Sequence, residues 1–71
     1  MTVVLHLLKG DAALAHDVIA AQVAAGDAVT IAVLEGAPTL PAGVTVRRLD
    51  ADLSYEHLID LVFAADQVVT W

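Results

Sequence analysis

The residues able to do chemistry in this chain are few, and their spacing limits what they could do. His6 sits inside the apolar run 2–8, whereas His16 and His57 fall in segments of helical periodicity. An imidazole inside a strand is either a core histidine bonded to backbone or a buried polar group that addresses a partner or ligand. His57 and Asp60 are three apart, which places both on one helix face and would let them share a metal ion. No third ligand has matching spacing, so no metal site is expected. A second set is acidic. Lys9, Gly10 and Asp11 follow the first apolar run, Glu35 and Gly36 the second, and Asp50 and Asp52 the third. If those runs are parallel strands, the residues gather on one rim beyond the carboxyl ends, where ligands of α/β sheets bind. Paired carboxylates there could exchange protons. The rim lacks a nucleophile and a glycine-rich phosphate loop, and its acidic excess opposes a phosphate ligand. No catalytic residue and no cofactor are therefore assigned. The chain has no cysteine, which excludes disulfides, thiolate metal sites and thiol chemistry within it.

The segments that would position these groups follow from periodicity. Residues 2–8 are near-continuously apolar, as in a central parallel strand covered on both faces. Asp11 is a good N-cap for a helix over 12–25, in which Leu14, Val18, Ala21 and Ala25 repeat at helical spacing; Gly26 stops it. Residues 28–34 form a second buried strand, 37–43 a linker holding both prolines, and 44–49 a third, less buried strand. Ser54 caps a second helix whose inward stripe is Leu58, Leu61, Val62 and Ala65, and residues 67–71 close the domain as a strand. The order β-α-β-β-α-β over 1–71 predicts one α/β domain with a mostly parallel four-stranded sheet. A linker of about seven residues reaches roughly 23 Å. That is enough for a stripped-down crossover in strand order 2-1-3-4. The alternative is that the second and third strands are antiparallel neighbours.

Composition points to association. Of 71 residues 59% are apolar, with a mean hydropathy of +0.78. That is much apolar surface for a domain near the lower size limit for independent stability, so some of it is expected in a subunit interface. Ile59 and Phe63, four apart on the flank of the second helix, would form an apolar ridge, which Trp71 would extend; a wide inward stripe is the alternative. The formal net charge of −6 opposes binding to nucleic acid or anionic membranes. Arg47 and Arg48 could make a local anion contact or simply solvate a strand end. No apolar run approaches a membrane span, and the start lacks a basic, cleavable leader pattern, so a cytoplasmic location is expected.

Three stretches also resemble a known family. Val4-Leu5-His6-Leu7-Leu8 resembles an opening strand with a leucine-histidine pair. The stretch from Gly26-Asp27 through Ala28–Leu34 to Glu35-Gly36-Ala37 resembles a glycine-acid, apolar-strand, acid-glycine pattern. Asp52-Leu53, Tyr55, Leu58-Ile59-Asp60-Leu61 and Trp71 resemble a tyrosine helix with a closing tryptophan. In this order they are similar to the DsrE/DsrF/DsrH-like group, most of all its DsrH/TusB branch. The resemblance covers about two-thirds of the chain. It implies a flavodoxin-like domain in a sulfur-relay assembly that passes persulfide sulfur towards tRNA thiolation or sulfur oxidation. In such assemblies the DsrH/TusB-type subunit is a scaffold and a DsrE-type sister carries the acceptor cysteine, so the lack of cysteine fits the scaffold. The chain departs from the family in two places. A proline linker replaces the helix between the second and third strands, and the segment before the tyrosine helix shrinks to Asp50-Ala51-Asp52-Leu53. A homo-oligomeric interaction or regulatory domain with no sulfur role is the other expectation.

Overall fold

A computed structural model describes residues 2–10, 13–36, 40–49, 51 and 53–71. Its elements are β1 (Val3–Lys9), α1 (Ala13–Ala24), β2 (Ala28–Glu35), β3 (Thr45–Arg48), α2 (Tyr55–Ala64) and β4 (Gln67–Thr70). The four strands form one sheet in the order β3-β2-β1-β4, and every neighbouring pair is parallel. The small α/β domain with a parallel sheet is as the apolar runs lead one to expect. The expected N-cap Asp11 lies outside the described residues. Gly26, at φ +87°, ends α1 as expected. Its N–H bonds the Val23 carbonyl and the Asp27 N–H the Gln22 carbonyl, the paired bonds of a Schellman motif. Ser54 caps α2, its hydroxyl accepting from the His57 N–H at 3.2 Å.

The strand order differs from the expected 2-1-3-4. β3 is the parallel neighbour of β2 at the sheet edge, with Thr30 opposite Thr45 and Val33 opposite Arg48. It is neither placed beyond β1 nor turned antiparallel. Distance and burial explain this. An edge position needs one lateral step of about 4.8 Å, whereas passing over β1 needs two. The returning chain also has apolar anchors: Leu40 and Val44 pack on the core beneath α1, and Val23 lies close against Gly43. Leu40 and Val44 thereby cover apolar surface on the α1 side of the sheet.

The sheet has two covered faces. Leu8, Val29, Ile31 and Val33 meet Ala15 and Ile19 of α1 on one side. Leu5 and Ala32 meet Leu53, with Leu58, Leu61 and Ala65 packed around them, on the other. α1 turns a different face inward from the one its spacing suggests: Ala15 and Ile19 are buried, whereas Leu14 is 76% exposed. Apolar residues surround this alanine-rich helix, so periodicity alone does not choose a side. In α2 the inward stripe is Leu58, Leu61 and Ala65; Val62, expected with them, is exposed.

Candidate functional site

His6 is fully buried in the centre of β1, and its partners are side chains rather than backbone. Strand alternation points it to the α1 side of the sheet, where Gln22 Oε1 lies 2.6 Å from Nε2. The Trp71 indole Nε1 donates to His6 Nδ1 at 2.9 Å, and the two rings lie nearly parallel, 19° apart, with centroids 6.1 Å apart. An indole nitrogen can only donate, so Nδ1 is the unprotonated nitrogen and Nε2 carries the hydrogen that goes to Gln22. Both ring nitrogens are satisfied by one tautomer. Among the described residues no buried side-chain polar atom lacks a partner. The group is built to join α1, β1 and the end of β4, and it leaves no free nitrogen for a reaction.

The rim residues are only partly brought together. Lys9 and Glu35 are register partners at the carboxyl ends of β1 and β2, and both are exposed. The Gly10 N–H bonds the Glu35 carbonyl at 2.9 Å. Gly36, at φ +80°, packs so close to Gly10 that an added Cβ would stand 2.8 Å from its Cα. Asp11, Asp50 and Asp52 lie outside the described residues. Among the described residues no three metal-ligating side chains converge.

The ridge on α2 is exposed: Ile59 is 55% and Phe63 84% accessible. Tyr55 and Val62 extend it along the same helix. Trp71 does not. Val69 pairs with His6 and Thr70 with Leu7, so Trp71 falls on the His6 face, across the sheet from α2. It is 38% exposed and belongs to the histidine group. The stripe Leu14 and Val18 on α1 forms a second uncovered apolar strip.

One feature was not anticipated from the sequence. Arg47 from β3, Leu53, and His57, Asp60 and Leu61 from α2 enclose a groove of about 340 Å³. The signal was present in the alternation of β3, which sends Arg47 to the α2 face and Arg48 to the other. Arg48 turns back to the Gly36 carbonyl at 2.9 Å. His16, on α1, lies 3.7 Å from Asp17 and remote from these groups in the fold.

No helix among the described residues is long and apolar enough to cross a membrane. No family model, no curated protein and no solved structure matches the chain.

Proposed function

We propose that this chain is a non-catalytic, partner-binding α/β subunit. The observation that carries the reading is α2, none of whose ten residues is fully buried although its sequence is YEHLIDLVFA. An amphipathic helix on a domain of this size normally hides its apolar residues, and an uncovered apolar face marks an interaction surface. The buried histidine supports the same reading from the other direction, because its hydrogen-bonding capacity is consumed by Gln22 and Trp71.

In its finer form the proposal is a DsrH/TusB-like scaffold of a sulfur relay that holds cysteine-bearing sister subunits and supports tRNA thiolation or sulfur oxidation. It rests on the sequence resemblance and on the absence of cysteine. The strand order β3-β2-β1-β4 is not the 2-1-3-4 expected from the length of the linker. Affinity capture of the tagged chain from its native extract tests it. Recovery of small DsrE- or DsrF-like proteins bearing a cysteine is the expected result; their absence from the retained material contradicts it.

A specific observation favours a second reading, a homo-oligomer without a sulfur role. β4 is an edge strand with one neighbour and the uncharged sequence Gln67-Val68-Val69-Thr70, whereas the opposite edge, β3, carries Arg47 and Arg48. Uncharged edges permit strand-to-strand pairing between copies, and facing arginines oppose it. A native mass of two or three chains for the isolated protein supports this reading, and a monomer at all concentrations contradicts it.

A further inference from the structure

We infer that the groove between β3 and α2 is a binding site for a small zwitterion with an apolar side chain, a free aliphatic α-amino acid being the simplest member of the class. This does not rest on the scaffold reading. With 3.6 residues per turn, His57 and Asp60 lie on one flank of the inward stripe of α2, and Tyr55, Ile59 and Val62 on the other.

The walls and the floor differ in chemistry. The floor is Leu53, which is buried, and Leu61, which is half-buried; the walls are Arg47, His57 and Asp60. Arg47 and Asp60 carry opposite charges and line the same groove, yet they form no ion pair, and among the described residues neither makes a hydrogen bond or ion pair elsewhere. An anion alone would meet Arg47 but be opposed by Asp60, and a cation alone would meet the reverse. A molecule bearing both charges satisfies both walls. Arg47 would grip a carboxylate with its planar fork, with the His57 ring as a second donor, and Asp60 would accept from an ammonium. The two leucines would take an aliphatic side chain. A groove of about 340 Å³ is at the small end of ligand sites, which run from roughly 300 to 1,000 Å³, and suits a free amino acid better than a nucleotide.

The test is calorimetric titration of the full chain with L-leucine. Two half-ligands serve as controls: 4-methylpentanoate, which lacks the ammonium, and 3-methylbutylamine, which lacks the carboxylate. Saturable binding at one molecule per chain is expected, with each half-ligand weaker by about tenfold or more, since each loses a charge-assisted contact. Arg47→Gln and Asp60→Asn, both at exposed positions, should each weaken L-leucine by a similar factor with an unchanged circular dichroism spectrum. Absence of saturable binding overturns the inference. So does a half-ligand that binds as tightly as leucine, or binding that both substitutions leave untouched.

Discussion

Trp71 donates its indole N–H to His6 across 65 positions of sequence, and this bond fastens the end of β4 to the centre of the sheet. β4 has only four residues and a single neighbour, so its backbone ladder alone holds it weakly. The Trp71 N–H to the Leu7 carbonyl, at 3.0 Å, adds a further anchor, and the Asp66 N–H to the Val3 carbonyl, at 2.8 Å, holds the other end of the strand.

Removing the donor while keeping an aromatic ring should expose the cost of an orphaned buried nitrogen. Trp71→Phe leaves His6 Nδ1 without a partner, and the expected loss of stability is about 1–3 kcal/mol. Gln22→Met, which orphans Nε2–H instead, should fall in the same range. Urea denaturation measures both; two unchanged midpoints would show that the histidine group is not held as described.

The inward face of α1 can be tested by contrast. Ile19→Ala removes a fully buried side chain and should destabilise by about 2–5 kcal/mol. Leu14→Gln, at an exposed position, should stay within about 0.5 kcal/mol of the parent. Thermal melts of the pair decide the matter, and the reverse ranking would turn the helix over.

Two glycines of positive φ should respond differently to the same change. Gly26→Ala has open space around the new Cβ, so only the left-handed backbone opposes it, at about 1 kcal/mol. Gly36→Ala meets that cost and the Gly10 backbone at 2.8 Å, so roughly 2 kcal/mol or more is expected. Equal destabilisation would mean that the loops after β1 and β2 separate readily.

Much of the architecture was legible because apolar runs and helix caps are local signals. Gly26 and Ser54 bound their helices as their chemistry dictates, and the unbroken run around His6 marks a central strand. What was not legible is non-local. The edge position of β3 depends on Leu40 and Val44 finding the core under α1. The face of α1 depends on the sheet, because alanine on every side gives no preference. Trp71 reads as an interface residue by type, and only its register with β1 sends it to His6 instead. The groove needs Arg47 and α2 brought together by tertiary packing, although the alternation of β3 already separates Arg47 from Arg48.

We propose that the exposed face of α2 is where this chain meets its partner. Phe63, the most exposed large apolar side chain among the described residues, is the place to test it. The decisive measurement is the native mass of the parent chain and of Phe63→Glu over a range of concentrations, alone and with any captured sister subunit, with circular dichroism recorded alongside. The parent is expected to assemble, and the variant to stay monomeric with an unchanged spectrum and melting temperature. A variant that assembles like the parent, or one that is unfolded at every concentration, would contradict it.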